Sequence, residues 1–167
     1  MKRGLFILVY IILMVAQIIV NNYFGLSRYL LISVLPALIL LLPRNMSTIL
    51  AMLVAFATGF AVDFFSTGML GLTSVALMPV ALGRRLLVSS VFGDEPADRD
   101  EQITIARFGL PKVVLALLLC CATFFLVFVW VDSAGTVPFW TAALRWLLSV
   151  LVSTPVGLLV SRILRPA

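Results

Sequence analysis

The sequence predicts an all-α, polytopic membrane protein with six transmembrane helices, and three observations carry that prediction. Hydrophobic residues make up 63% of the 167-residue chain and charged ones 11%, with a mean hydropathy of +1.20. A water-soluble domain of this size does not have that balance. Six apolar runs divide the chain, at 5–23, 30–42, 49–65, 69–87, 113–131 and 139–163, within a single transmembrane domain. Most approach the ~20 residues a helix needs to cross a hydrocarbon core, and none alternates like an outer-membrane barrel strand.

The first run follows Met1-Lys2-Arg3, and no small-x-small cleavage pattern precedes Asn21-Asn22, so it reads as an uncleaved helix rather than a signal peptide. The second run is short for a span and contains Pro36, which leaves a full crossing and a re-entrant piece both open. Charge parity favours the crossing. With six crossings and both termini in the cytoplasm, Lys2, Arg3, Arg44, Arg84, Arg85, Arg99, Arg107, Lys112, Arg162 and Arg165 lie inside. Only Arg28 lies outside, and Arg145 falls within the last run. This obeys the positive-inside rule.

The third and fourth runs are joined by Ser66-Thr67-Gly68, a turn tight enough to force a hairpin, with Ser66 or Thr67 placed to cap the fourth helix. Pro79 and Pro155 lie within runs four and six and predict kinks. Between the fourth and fifth runs, residues 88–112 form a cytoplasmic loop that holds Asp94, Glu95, Asp98, Asp100 and Glu101. That loop reads as a solvated turn or as a docking surface held against the anionic leaflet by Arg84 and Arg85. The adjacent Cys120 and Cys121 suit neither a disulfide nor a metal site and read as packing residues.

Small residues recur every four positions on two helices, the pattern that lets backbones approach closely in lipid. One row is Ala51, Ala55, Gly59 and then Asp63; the other is Arg145, then Ser149, Ser153, Gly157 and Ser161. Asp63 and Arg145 fall at matching depth on helices of opposite direction. The pattern predicts that helices three and six pack along these rows with Asp63 and Arg145 as an intramembrane ion pair. The alternative is that Arg145 snorkels to headgroups while Asp63 caps a helix or meets water.

Catalytic constellations are missing from the sequence. The chain has no His, no Walker-type Gly-rich loop and no second intramembrane carboxylate, since Asp132 reads as part of an outer loop before Gly135. These features predict a protein that is not an enzyme and uses no metal or cofactor. The net charge of +5 calls for no nucleic acid.

Gly59, Asp63, Ser66, Leu70 and Gly71 form the pattern Gly-x-x-x-Asp-x-x-Ser followed by Leu-Gly. In this pattern, in length and in the order of apolar runs, the chain resembles the MreD family of bacterial rod-shape proteins. Thr67 stands where many members have glycine, and the glycine of this chain follows at Gly68. The resemblance implies a non-catalytic inner-membrane component of the cell-wall elongation complex. Its expected direct partner is MreC, with MreB, RodA and a transpeptidase engaged indirectly and membrane lipid around it. The family is similar in architecture to the substrate-binding S-components of energy-coupling-factor transporters, which supplies the alternative function. In that reading Gln17, Asn21, Asn22, Asp63 and Arg145 would line an outward pocket for a vitamin-like ligand.

Overall fold

The computed structural model of the chain describes residues 3–23, 31–43, 46–67, 70–92, 109–133 and 137–164. All regular structure among them is helical. Helices α1 (Arg3–Tyr23), α2 (Leu35–Leu40) and α3 (Thr48–Val62) are followed by a single π-helical turn, Asp63–Thr67. Then come α4 (Leu72–Phe92), α5 (Leu110–Ser133) and α6 (Phe139–Leu164). Five helices, all but α2, are long and apolar enough to cross a membrane, and the chain is a multi-pass membrane protein.

The periodicity of α5 explains why the bundle assembles with an apolar exterior. Val113, Ala116, Leu117, Cys120, Cys121, Phe124, Phe125 and Phe128 recur at helical spacing and are buried. The opposite face, with Leu115, Leu118 and Leu126, is equally apolar and exposed. On α6 the outward row is Leu144, Leu147, Leu151 and Leu159, while Ser149, Ser153 and Thr154 are buried. Polar groups thus lie inside and hydrocarbon outside, the arrangement lipid demands because it offers no hydrogen bonds to an exposed polar atom. Cys120 and Cys121 are free thiols within that core. The helices α4 and α6 continue through Pro79 and Pro155.

Side-chain contacts fix the relative directions of the elements. Thr58 donates its hydroxyl proton to the carbonyl of Val54, so Tyr10 of α1 donates to Thr58 Oγ1 at 2.8 Å. Farther along, Asn22 donates to the carbonyl of Phe65 at 3.0 Å. Both sequence numbers rise together, and α1 therefore runs parallel to α3. α4 returns antiparallel to α3, with Ser74 donating to the carbonyl of Phe56. α5 and α6 form a second antiparallel pair, joined by Trp146 Nε1 donating to the carbonyl of Ala122 at 3.0 Å.

The second apolar run departs most from a regular helix. Leu31–Val34 are not helical, α2 has only six residues, and every residue of α2 is buried. Pro36 sits in the first turn of α2, where its missing N–H is harmless. Leu31 lies beside Ser149 and Leu40 beside Arg84, so the segment runs back through the bundle, packed chiefly against α4, α5 and α6. α4 extends beyond the expected end at Leu87 to Phe92, and α5 begins at Leu110, which shortens the expected 88–112 loop from both sides. Gly68, Lys2, Arg28, Arg44, Arg99, Arg107, Arg165 and the acidic run from Asp94 to Glu101 lie outside the described residues.

Candidate functional site: the Asp63 hairpin and the clamped segment

Gly59 and Asp63 occupy one face of α3, a turn apart, and both meet the start of α4. A Cβ at Gly59 would lie 2.5 Å from the Ser74 Cα and 2.6 Å from its nitrogen, so the two backbones touch at this crossing. Only glycine permits that approach. One turn later the fully buried carboxylate of Asp63 accepts from the N–H groups of Gly71 (3.0 Å), Thr73 (2.9 and 3.2 Å) and Ser74 (3.4 Å). These belong to the first turn of α4, whose leading amides have no partner within the helix. Asp63 is thus a helix cap supplied from the preceding helix, and its charge faces the positive end of the α4 dipole.

Gly71 completes the geometry. Its φ of +98° is a left-handed conformation that turns its amide toward Asp63, and side chains with a Cβ rarely adopt it. The Ser66 hydroxyl donates to the carbonyl of Val62 at 2.6 Å rather than capping α4. Asn21 Nδ2 lies 3.5 Å from the same oxygen, so α1 is tied to the turn by Asn21 and Asn22. Four of the five motif residues therefore build the hairpin. Leu70 is the exception: it is 60% exposed, and Phe64 and Phe65 also point outward with their rings edge to face at 5.2 Å.

The expected Asp63–Arg145 ion pair is replaced by another. Arg145 Nη1 donates to Asp132 Oδ2 at 2.5 Å, closing the α5–α6 hairpin. Asp132 lies in the last turn of α5 and not in a loop. The expected packing of α3 on α6 is corrected as well. The row of Ala51, Ala55 and Gly59 is buried on α3, and Gly59 places it against α4. The row on α6 faces the second segment: Ser149, Ser153 and Gly157 meet Leu31, Ser33 and Ala37. The hairpin turn holds α3 to α4, and the α6 hydroxyls are drawn to backbone amides that have no helical partner.

Those serines belong to a clamp that the sequence reading missed. Ser149 Oγ accepts from the Leu31 amide and Ser153 Oγ from the Ser33 amide, both at 3.1 Å. Gln17, buried on α1, accepts from the Val34 amide through Oε1 and donates to the Ile32 carbonyl through Nε2, each at 2.9 Å. At the other end Arg84, also buried, donates to the carbonyls of Leu40 (3.3 Å), Leu42 and Pro43 (3.2 Å). A cation thereby closes the C-terminus of α2. The available signal was the shortness of run two: non-helical backbone inside a membrane protein needs side-chain partners, and Gln17 is an amide flanked on both sides by apolar residues in run one.

Among the described residues no group of three His, Cys, Asp or Glu side chains is placed to hold a metal ion. No family profile, curated protein or solved structure matches this chain.

Proposed function

We propose that this protein is a non-catalytic membrane component of the bacterial rod-shape and cell-wall elongation complex, an MreD-like subunit that binds MreC. The observation that carries the reading is the use made of the ionisable groups. Asp63, Arg84 and Arg145 all hold the protein's own elements together, while Phe64, Phe65 and Leu70 of the motif region face outward. A motif whose polar members are internal and whose apolar members are external suits a rigid platform for a neighbouring membrane protein. MreB, RodA and a transpeptidase are then engaged through MreC.

The parallel α1 and α3, joined in sequence by the clamped segment that runs back through the bundle, support six crossings of the inner membrane. Arg85, Lys112 and Arg162 are exposed at the end of the bundle away from Asp63, which supports a cytoplasmic position for that end and for both termini. Trp130, Phe139 and Trp140, exposed near the α5–α6 turn, then mark the outer interface.

The test is capture of the tagged full-length chain from rod-shaped cells, alongside its depletion. MreC should be retained, depleted cells should round, and Leu70→Glu should lose MreC while remaining folded. Rods that persist after depletion, with no MreC in the eluate, would overturn the proposal.

A further inference from the structure

Between α1, the 31–35 segment, the start of α4 and the later half of α5 lies a cavity of about 30 Å³. Its lining is polar at Gln17, Ser33 and Thr73 and aromatic at Phe124, Phe125 and Phe128, with Ile32 beside Ser33. Gln17, Ser33 and Thr73 are each more than nine-tenths buried. Most polar groups here are engaged within the protein. Gln17 Nε2 donates to Asn21 Oδ1 and to the Ile32 carbonyl, Gln17 Oε1 accepts from the Val34 amide, and Ser153 holds the Ser33 amide. Three are not. Among the described residues, the Thr73 hydroxyl, the Ile32 N–H and the Ser33 carbonyl have no hydrogen-bond partner, and all three residues line this cavity. The Thr73 hydroxyl is also not among the fully sealed polar atoms, so it keeps accessible surface within a buried residue and opens on this space.

Buried polar groups almost always have partners, and a hydrocarbon surrounding cannot supply them. Orphans scattered through the bundle would carry no message, but these converge on one space. Together they offer a donor, an acceptor and a hydroxyl that can serve as either. A buried water needs ~10–15 Å³ and about three polar partners, so the cavity takes one water and at most two. Anything larger is excluded by size. No charged side chain lines the space, so an ion entering it would lose hydration without compensation. A methyl group from a lipid tail would leave all three polar groups unpaired. Phe124 and Phe125, edge to face at 5.1 Å, contribute an apolar wall that competes for no hydrogen bond.

We infer that this cavity is a built site for one held water, which bridges the Thr73 hydroxyl of α4 to the Ile32 amide and the Ser33 carbonyl of the clamped segment. The water accepts from Ile32 and donates to Ser33, which leaves it one proton and one lone pair for Thr73. Its position gives it a joining role. The Thr73 amide is held by Asp63, and the Ile32 carbonyl by Gln17. The water therefore spans the gap between the hairpin cap and the clamp, two networks that no direct side-chain bond across this cavity connects among the described residues. The inference does not depend on the elongation reading, since it concerns only groups lining the cavity.

The experiment is synchrotron radiolysis of the full-length protein in lipid nanodiscs, mixed for varied times with water enriched in the heavy oxygen isotope before the pulse. Hydroxyl radicals formed from a held water attack the side chains beside it, and mass spectrometry reads the modified residues and their oxygen isotope. Phe124, Phe125 and Phe128 should be hydroxylated despite their burial, while lipid-facing Leu118 and Leu126 are spared. Their label should keep the original isotope longer than that on the exposed Trp130 and Trp140. Thr73→Val keeps the volume but loses the hydroxyl, and should speed isotope exchange at the phenylalanines by roughly three- to tenfold, the size of one hydrogen bond. Thr73→Ser keeps the hydroxyl and should match the parent, each variant being checked for folding by thermal unfolding. Unmodified phenylalanines would mean a dry cavity and overturn the inference. So would label that turns over as fast as on Trp130 and Trp140, or a Thr73→Val protein that exchanges like the parent.

Discussion

Both carboxylate oxygens of Asp63 accept from the single backbone amide of Thr73, at 2.9 and 3.2 Å, across the turn that joins α3 to α4. With the Gly71 and Ser74 amides on the same carboxylate, one side chain satisfies most of the leading donors of α4. Asp63→Asn keeps an oxygen acceptor but loses the charge facing the helix dipole. Asp63→Leu orphans every one of those donors. Each buried donor left alone costs ~1–3 kcal/mol, so the leucine variant should lose several kcal/mol and the asparagine variant about 1 kcal/mol. Reversible unfolding in mixed micelles measures the order. Equal stability of Asp63→Leu and the parent would refute the capping role.

Gly59 and Gly71 of the motif and Gly157 of α6 should separate by the space around them. At Gly59 an added methyl would strike the Ser74 backbone at 2.5 Å, which cannot move without shifting α4. At Gly157 it would meet the Ala37 and Leu117 side chains at 3.3 and 3.4 Å, which can give slightly. Gly71 has open space but a positive φ. Alanine should therefore cost most at Gly59, at or above the ~1–3 kcal/mol of overpacking. At Gly71 the cost should be about 1–2 kcal/mol from backbone strain alone. Gly157 should cost least. The same unfolding assay gives the ranking, and a Gly157→Ala loss larger than that of Gly59→Ala would contradict the packing described.

The apolar runs were legible because lipid and core both favour hydrocarbon, so long helices such as α5 announce themselves by length alone. The role of Asp63 was legible only as one of two options. A carboxylate beside a predicted turn can cap or pair, and the choice depends on which helix lies opposite. Rows of small residues say that a helix approaches something closely, but not what. Thus Gly59 was read correctly as a close contact and assigned to the wrong neighbour. Arg145 found Asp132 because α5 runs on past Val131 and places that carboxylate within a helix. Gln17 and Arg84 were given other roles, in an outward pocket and at the headgroup boundary, because their actual partners are backbone groups in and around a short buried segment, which leave no mark on side-chain patterns.

The clamp on the second segment predicts a local effect that global stability would hide. Gln17→Leu removes the acceptor for the Val34 amide and the donor for the Ile32 carbonyl, both part-buried. Ser153→Ala removes the acceptor for the Ser33 amide. Amide hydrogen exchange across 31–35 should accelerate by about tenfold per lost bond of ~1.4 kcal/mol, while α5 amides stay unchanged. Uniform acceleration over all helices would show that these residues serve general packing instead.

The Asp132–Arg145 pair lies at the α5–α6 turn with both side chains largely shielded, at 24% and 19% exposure. Among the described residues the Arg145 Nε is buried without a hydrogen-bond partner, so the pair holds one unsatisfied donor there. A double-mutant cycle with Asp132→Asn and Arg145→Gln should give a coupling of about 0.5–3 kcal/mol. The swap of Asp132→Arg with Arg145→Asp should recover part of the loss of either single reversal. Exchanging charges between Asp63 and Arg145 should rescue nothing. Rescue by that second exchange would restore the pairing expected from sequence and displace the one described.

Arg84 offers the sharpest contrast between charge and geometry. Its guanidinium reaches three carbonyls at the end of α2, from Nε to Leu40 and from Nη2 to Leu42 and Pro43. Lysine carries the same charge, but its point-like ammonium cannot span that set, and burial makes its charged form costly. Methionine fills the volume and leaves the carbonyls without a donor. Arg84→Lys should therefore be nearly as damaging as Arg84→Met, each by about 2 kcal/mol or more, whereas Arg85→Lys on the exposed face should be neutral. Protease accessibility of the α2–α3 connection, followed during mild heating, reads this directly. If lysine at position 84 matched the parent, charge alone would suffice and the fork geometry would be incidental.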